Sequence, residues 1–486
     1  MALPKNQTPW PPVEFEKVYY RFREWSAWYS GDPLQISRCF SDAIYTPTSH
    51  GRFWSKKVRD ERETMLHIPI PGDIASTSAD LLLGEQPVIE IPEANQETAE
   101  QGAIETQDRL NQIKESNDTY SKLIETVETA AAMGGAYLKV NWDAEFKDFP
   151  ILRVAQSDNA IPEWKFGFLN RVLFHKIIDE YEGVIYRHIE YHEPGLIKNA
   201  LYKGTIHNIG RQIPLTEHRV TENMEEEILT GIDDIAVRYV PNMKPNRLWR
   251  GSDLGQSDYS GIEGIFDSID DVYTSWIRDV ALAKSRLMVP RHMLENEDGE
   301  LKFDVDQEVY VMLETIAEAG ETGSITANQF EIRAEEHYKT AAELIERAIT
   351  SAGYSPQSFG LHIEGRAESG TALRARERKS LNTKQKKERY IKRPIEEILY
   401  IMLQIDREKF SNITPFRPRV QFGDSYTPDP NELADSLEKL ERARSASIKT
   451  KVEMLHSDWS DEEIEAETKR IMQEQGMTVE DVEARI

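Results

Sequence analysis

The spacing of apolar residues divides the chain into helical and extended stretches. Between residues 15 and 135 apolar side chains recur every three or four positions, which predicts helices. The run PGDIASTSADLLLGEQP predicts a helix with Asp73 as N-cap and Gly84 as its stop, then a strand after Pro87. The predicted buried face of this helix carries Ala79, Leu82 and Leu83. A longer helix is predicted from about residue 100 to 133, before two glycines.

From Ala136 to Val240 the pattern changes to alternation of apolar and polar residues. It is clearest in AYLKVNWD, NRVLFHKII and GVIYRHIEYHE, which are separated by clusters of turn-forming residues. Alternation is typical of strands with one buried face, so we predict an antiparallel sheet. Together the first 240 residues are expected to form one α+β domain.

One of these strands carries a pattern that resembles a metal site. His188, Glu190 and His192 are two residues apart, so their side chains point the same way and could converge on a cation. A polar strand face gives the same pattern, and no fourth ligand is evident. We favour the polar face and predict no metal site.

The clearest helical pattern starts after the loop VPNMKPNRLWRGSDLGQSDYSG. Its apolar stripe comprises Ile262, Ile265, Ile269, Val272, Trp276, Val280, Ala283 and Leu287. Pro290 ends this pattern. At 1.5 Å per residue the predicted helix is a rod of roughly 40 Å.

A short insert follows the rod and leads to a second helix. The insert, residues 291–334, contains the strand-like run LKFDVDQEVYVML and the glycine-rich run EAGETGSITANQ. The second helix is predicted at about residues 335–351. Rod, insert and return helix predict a stalk with a small tip.

A strongly basic helix is predicted after the loop AGYSPQSFGLHIEGRAE, with Ser369 as its cap. Between Arg374 and Arg393 it has ten Lys or Arg and two Glu, a net charge of +8 in a chain of net charge −26. The rest of the chain therefore carries −34. Its first half has Leu381 as almost its only apolar residue, so we expect only the second half to pack in a core. The predicted stripe of that half is Tyr390, Ile391, Ile395, Ile398, Leu399 and Met402.

The C-terminal region is predicted to contain a strand and acidic helices. The strand is RPRVQFGD, and the next helix has Asp429 as N-cap followed by Pro430. Ser460 and Glu463 predict a capping box for a further helix. After residue 457 the chain has ten acidic and three basic residues, which predicts that these last helices are acidic and exposed to solvent.

Length and composition narrow the classes of protein. A chain of 486 residues is expected to form two to four core-bearing units. Its acidity argues against a surface that coats nucleic acid or anionic membrane. Cys39 is the single cysteine, which excludes an intrachain disulfide and a multi-thiolate metal site. No apolar stretch approaches the roughly 18 to 20 residues of a membrane span, so we expect a cytosolic protein or part of an assembly made there.

No pattern of a catalytic site or a cofactor site stands out. The run GSDLGQSDYSG has neither the GxGxxG spacing nor the GK[ST] ending that would hold phosphates. A GxSxG elbow is absent, and no pair of carboxylates is distinguished from the many others. Cys39 lies in the apolar-flanked run QISRCF and is expected to be packed. We therefore predict a protein that is not an enzyme and that binds no cofactor.

The basic helix has three interpretations. It is a solvated helix face, a surface that binds phosphate, or a surface that faces acidic groups of a partner protein. Its run TALRARERKSLNTKQKKERY contains Tyr390 as the single aromatic residue, so it lacks the stacking platform of single-strand binders. Duplex phosphate or protein carboxylate is the better match.

Five segments, in order, carry a resemblance to a known family: WSAWYSGDP; IPIPGDIASTSADLLLGEQP; GSDLGQSDYSGIEGIFDSIDDVYTSWIRDVALAKSRLMVP; AGYSPQSFGL followed by ESGTALRARERKS; and ASIKTKVEMLHSDWSDEEIEAE. The chain resembles portal proteins of tailed bacteriophages, of the siphophage type that serves as head-to-tail connector. The resemblance implies a ring, usually of twelve subunits, at one capsid vertex. Double-stranded DNA is packaged and ejected through such a ring.

The resemblance also implies a mainly helical α+β portal fold and a division of the chain into named parts. A wing is implied at 1–255, stem helices at 256–292 and 335–352, a clip at 293–334, a tunnel loop at 353–368, the basic helix with a wing strand at 369–428, and a crown at 429–486. The implied partners are further copies of the chain, double-stranded DNA bound without sequence specificity, the terminase large subunit, a head-tail adaptor, and the major capsid and scaffolding proteins. The implied location is the virion.

Three groups of candidate functional residues follow from the resemblance. The tunnel loop would present Ser355, Gln357, Ser358, His362 and Arg366. The basic helix would present Arg374, Arg378, Lys384, Lys386 and Lys387 to a neighbouring subunit or to DNA. The stem would pack through Ile269, Trp276 and Val280. The alternative is a helical scaffold or adaptor that binds an acidic partner and never encircles DNA.

Overall fold

The structure, a computed structural model, describes residues 3–41, 65–92, 97–283, 286–290, 310–313, 326–328, 332–361, 370–423, 430–443, 445–456, 459 and 461–474. The chain divides into two compact units. The larger comprises Met1–Ile363 with Glu377–Gly423, and the smaller comprises Glu364–Arg376 with Asp424–Ile486.

The N-terminal part of the larger unit is mainly helical. Its elements are α1 (Glu16–Ser30), α2 (Pro33–Ser41), α3 (Ile70–Leu83), β1 (Val88–Glu90), α4 (Glu97–Ser116) and α5 (Thr119–Met133). The predicted stop at Gly84 and the strand after Pro87 are confirmed, as is the burial of Ala79, Leu82 and Leu83. Asp73 as N-cap is wrong, because α3 begins at Ile70 and Asp73 lies in its first turn.

The long helix predicted from about residue 100 to 133 is in fact two helices. Asp118 adopts a left-handed φ of 48°, which ends α4 before α5 begins. Asn117 supports the break. Its Nδ2 donates to the carbonyl oxygens of Ile113 and Pro150, and its Oδ1 accepts from the amide of Leu152. The hydrogen bonds of one buried amide side chain therefore override continuous helical periodicity.

The strands of the alternating region are antiparallel, as predicted, but they form two sheets instead of one. The first has the order β10–β2–β3, with β2 at Gly135–Asn141, β3 at Ile151–Gln156 and β10 at Val237–Pro241. The second has the order β4–β5–β6–β7–β8, and β9 pairs with β7. Its strands are β4 (Ala160–Lys165), β5 (Phe168–Tyr181), β6 (Val184–Glu193), β7 (Leu196–Thr205), β8 (Asn208–Ile213) and β9 (Glu227–Leu229).

The predicted central rod is shorter than its periodicity suggests. Helix α6 spans Glu263–Leu282, 20 residues or roughly 30 Å, and the return helix α7 spans Ala334–Ala352. Leu287, expected on the helix, lies in β11 (Arg286–Pro290). That strand pairs parallel with β12 (Tyr310–Leu313) and antiparallel with β13 (Thr326–Asn328). Strand pairing on both edges of β11 overrides the helical spacing.

A 40-residue helix, α8 (Gly370–Lys409), follows the loop, and Ser369 lies outside the described residues. The second half of α8 packs in a core with strands β2 and β10, as its apolar stripe predicts. The predicted C-terminal strand is β14 (Arg419–Gln421), which pairs antiparallel with β1. A separate core between α1, α3 and the sheets is built around Trp25, Trp28, Tyr137 and Phe174.

In its described residues the smaller unit contains the start of α8 and the short helices α9 (Pro430–Ala443), α10 (Ile448–Leu455) and α11 (Asp461–Glu474). Helices α10 and α11 pack on each other, and Val452, Ile464 and Met472 are buried. Asp429 and Ser460 lie outside the described residues. Among the helices of the described ranges, none combines the length and the apolar character that crossing a membrane requires.

Candidate functional site

A buried stripe of polar residues runs along the first half of α8. Ser380, Thr383, Lys384 and Lys387 are spaced by three and four residues and are 1 to 7% exposed. The stripe continues in phase into the apolar residue Ile391, which is also buried. The expectation that only the second half of α8 packs in a core is therefore wrong. The spacing of three and four residues indicates a buried helix face, but its residues are polar, and a buried face is usually apolar.

Lys387 is the centre of this buried polar cluster. Its Nζ donates to Asp258 Oδ2 at 2.6 Å, to Ser78 Oγ at 2.7 Å and to Tyr354 Oη at 2.8 Å. These three acceptors lie on the segment before α6, on α3 and just after α7. One ammonium group thus joins four separate stretches of the larger unit, and all three of its protons are used.

Asp258 is buried together with Lys387. Its side chain also accepts from Tyr354 Oη at 2.7 Å and from Asn242 Nδ2 at 2.8 Å, and its backbone amide donates to the carbonyl oxygen of Ala131. Burial lowers the pKa of Lys387 from its ordinary value, and Asp258 opposes that shift. Burial, followed by the charge of Asp258, raises the pKa of Tyr354 well above its ordinary value.

The same face of α8 holds the first residues of the predicted tunnel loop. Ser380 Oγ accepts from the backbone amide of Ser355 at 2.8 Å and lies 2.8 Å from Ser358 Oγ. Thr383 Oγ1 donates to the carbonyl oxygen of Gly353 at 2.6 Å. Gly353 has a φ of 106°, and a Cβ there would lie 3.1 Å from Thr383 Oγ1. The start of the loop is therefore fixed to α8 by specific hydrogen bonds.

The predicted tunnel-loop residues fall into two sets. Ser355 is 2% exposed, and Gln357 and Ser358 are half-buried in a short 3₁₀ turn over Pro356–Phe359. The burial of Ser355 corrects the expectation that it is presented to the channel, because its amide and its neighbours bind α8. His362 and Arg366 lie outside the described residues.

The predicted basic surface of α8 is also divided. Lys384 and Lys387 are 5% and 1% exposed within their own subunit, so the prediction that they face a neighbour or DNA is wrong. Lys384 Nζ donates to the carbonyl oxygen of Gly423 at 3.1 Å and lies 3.5 Å from Glu388. Arg378 and Lys386 are exposed, and the side chain of Arg374 lies outside what the structure describes.

The three predicted stem residues have different environments in the subunit. Ile269 is 1% exposed and belongs to the core. Trp276 stacks on His337 of α7, with ring centroids 6.1 Å apart and planes at 10°. Val280 is 44% exposed. Near it Asp279 Oδ2 binds both His337 and Arg333, whose hydrogen bonds lower the pKa of Asp279.

The His–Glu–His pattern on β6 is part of an ion-pair network. Glu190 accepts from His192 Nε2 at 2.7 Å and from Lys139 Nζ at 2.5 Å, while His188 binds Asn199 at 3.1 Å. Burial opposes ionisation of Glu190, but His192 and Lys139 together hold its pKa well below the ordinary value. Among the described residues, no group of three or more His, Cys, Asp or Glu is arranged to hold a metal ion.

Comparisons with known proteins place the chain in a family. A search of curated proteins finds no match. Among solved structures, the chain is similar to one from "Neck of native GTA particle computed with C12 symmetry", with 11% identity, a TM-score of 0.38, and coverage of 82% of this chain and 89% of that chain. The model of the family described as phage portal protein, SPP1 Gp6-like, matches residues 14–481. The chain therefore belongs to the SPP1 Gp6-like family of phage portal proteins.

Proposed function

We propose that this protein forms the portal ring at one vertex of a phage capsid, through which double-stranded DNA is packaged and later ejected. The observation that carries the proposal is the family match over residues 14–481, nearly the whole chain. The proposed ring is a homo-oligomer, usually of twelve copies in this family, in the virion after assembly in the host cytoplasm. No chemical reaction is proposed for it.

The division of the chain into parts belongs to the same proposal. Helices α6 and α7 are the stem, the insert 293–334 between them is the clip, and residues 353–368 are the tunnel loop. The clip would dock the terminase large subunit during packaging and a head-tail adaptor afterwards. The wing, residues 1–255, and the crown, residues 429–486, would meet capsid and scaffolding proteins.

Exposed apolar groups on the stem helices support assembly into a ring. Ile277 and Val280 of α6 are 57% and 44% exposed, and Tyr338 of α7 is 64% exposed. Removing large apolar side chains from water is favourable, so contact with a second copy that covers them stabilises the assembly. In a ring each subunit has two different neighbours, so such a pair is covered on both sides.

The acidity of the chain suits a channel that must not retain DNA. Each phosphate that a Lys or Arg neutralises releases counterions and adds affinity. Lys384 and Lys387 are buried, so α8 exposes fewer cations that could bind DNA. With a net charge of −26, the subunit is expected to let duplex DNA slide in both directions.

Two measurements test the proposal. Negative-stain images of the purified protein should show annular particles with a central hole. Deletion of residues 295–329 should leave ring formation intact and abolish DNA packaging, because it removes the proposed docking surface. Uniform monomers at every concentration, or particles without a hole that bind an acidic protein, would instead support a scaffold or adaptor. Packaging by the deletion variant would overturn the clip assignment.

A further inference from the structure

The β5–β6 hairpin presents an acidic, aromatic tip. Its sequence is Asp179-Glu180-Tyr181-Glu182-Gly183, and Tyr181 is 69% exposed. Glu182 and Gly183 adopt left-handed φ values of 50° and 78°, the geometry of a tight hairpin turn. Among the described residues, neither Glu180 nor Glu182 has an ion-pair partner, and both are exposed. The tip is thus a projecting element with two free carboxylates beside a large ring.

An arginine-lined groove follows the exposed face of the second half of α8. Two adjoining cavities of about 520 and 440 Å³ share Arg393, Glu397, Tyr400 and Arg417 among their walls. Phe168, at the start of β5, lines the larger cavity and is 63% exposed. Arginine and aromatic groups that flank a concave surface are the composition of protein-binding hot spots.

The groove also contains carboxylates, among them Asp233 and Glu396, but its cations are not all neutralised within the subunit. Asp234 and Glu397 pair with Arg238, and Glu397 also pairs with Arg393. Arg417 lies over the ring of Tyr400 at 4.9 Å. Within the described part of the chain, neither Arg417 nor Arg419 has a carboxylate partner, and both are exposed. The groove therefore has two unpaired guanidinium groups in a protein of high negative charge.

The hairpin tip and the groove lie at opposite ends of one strand. Strand β5 runs from Phe168, which lines the groove, to Tyr181 at the tip. From its first to its last residue the strand spans roughly 43 Å, at about 3.3 Å for each step along the chain. The two surfaces therefore cannot meet within one chain. A ring needs two different, complementary surfaces on opposite sides of each subunit, and this pair meets that requirement.

We propose that the β5–β6 hairpin tip of one subunit inserts into the arginine groove of the adjacent subunit. Glu180 and Glu182 would pair with Arg417 and Arg419, and Tyr181 would pack beside Tyr400 and Phe168. The occupant is a second copy of this chain, chosen for its complementary charge and aromatic content. This inference rests on the proposed ring and names one of its contacts.

Chemical cross-linking tests the contact directly. In a Cys39→Ser background, which removes the single cysteine, Glu182→Cys is combined with Gln404→Cys, a groove residue whose replacement keeps every arginine. A short bismaleimide should link these cysteines between chains and give a ladder of covalent oligomers. Each single-cysteine variant should give none. Rings that form normally but show no ladder in the double variant would overturn the inference.

Charge exchange tests whether the ion pairs stabilise the ring. Glu180→Arg with Glu182→Arg should raise the protein concentration needed for half-assembly by at least about fivefold, and Arg417→Glu with Arg419→Glu should do the same. The four changes together should restore assembly, because each pair is reversed. Matched controls are Glu145→Arg and Arg211→Glu, which alter exposed charges elsewhere on the unit and should leave assembly unchanged.

The outcomes separate this inference from the proposed function. Sedimentation reports the ring fraction of each variant, and circular dichroism reports its fold. If the wild-type protein forms rings and neither charge reversal lowers the ring fraction, the hairpin contact is wrong but the portal assignment stands. A wild-type protein that forms no rings would overturn both. If each charge reversal weakens ring assembly but the fourfold variant does not restore it, the stated pairing is wrong.

Discussion

Replacing Lys387 by Met should destabilise the larger unit far more than the same change at the neighbouring Lys386. Lys387 is 1% exposed, and its ammonium group makes hydrogen bonds of 2.6, 2.7 and 2.8 Å to Asp258, Ser78 and Tyr354. Met keeps much of the aliphatic volume, so the change removes mainly the charge and its hydrogen bonds. Lys386 is exposed on the same helix and provides a matched control.

The expected magnitude follows from the burial of the partner left behind. Asp258 has a side chain with 0% exposure, so Lys387→Met leaves a buried carboxylate without its cation. Loss of one partner of a buried ion pair costs about 3 to 5 kcal/mol of unfolding free energy. An exposed lysine replaced on a helix surface changes stability by about 0.5 kcal/mol or less. The two variants should therefore differ by about 3 kcal/mol or more.

Urea unfolding of unassembled protein, followed by tryptophan fluorescence, measures this difference. The double variant Lys387→Met with Asp258→Asn should lose less stability than the sum of the two single variants, because it removes both charges. A cycle with no coupling energy, or a Lys387→Met variant as stable as Lys386→Met, would refute the buried pair. Either result would place Lys387 at the surface, as its position in a basic run predicts.

Three further predictions concern other parts of the molecule. Burial and the charge of Arg187 lower the pKa of His175 to about 3, whereas His175 in the unfolded chain has the ordinary pKa of about 6.5. Between these pH values the unfolded chain binds a proton that the folded chain does not, so the unfolding free energy should fall as pH drops from about 6.5 to about 3. Denaturant titrations should show a shallower fall for His175→Phe. Gly353→Ala should lower the melting temperature more than Gly360→Ala. Both glycines have a positive φ, but a Cβ at Gly353 would lie 3.1 Å from Thr383 Oγ1, whereas a Cβ at Gly360 would have no atom within 4 Å. Val280→Ser should weaken ring formation in sedimentation without altering the subunit's melting temperature, whereas Trp276→Ala should lower that temperature through loss of its stack on His337.

Apolar periodicity predicted most of the fold, because it reports which face of an element is buried. The antiparallel strands between Ala136 and Val240 follow from alternation alone. Failures occurred where a few polar contacts or strand pairings decide the backbone. Asn117 breaks a helix through three hydrogen bonds, and Leu287 joins a strand because two other strands pair with β11. Neither partner set is visible from local sequence.

The candidate site was predicted less well than the fold, for a related reason. A run of ten cations was interpreted as a surface, because isolated charges are rarely buried. Lys387 is buried because Asp258, which is 129 residues earlier in the chain, lies 2.6 Å away. Such a partner is determined only by the tertiary structure. The groove beside Tyr400 and Arg417 was missed for the same reason, since its walls come from separated segments.

The buried pair also constrains how the loop after α7 can move. A slip of α8 by one turn, 5.4 Å, would separate Lys387 from Asp258 and Ser380 from Ser355, leaving buried polar groups without partners. Apolar contacts tolerate small shifts, whereas this set of hydrogen bonds has one satisfied arrangement. The described part of the loop is therefore held against α8 as far as Ser358, within the Pro356–Phe359 turn. Lys387, which the sequence predicts to face a neighbour or DNA, instead holds the base of this loop through Tyr354.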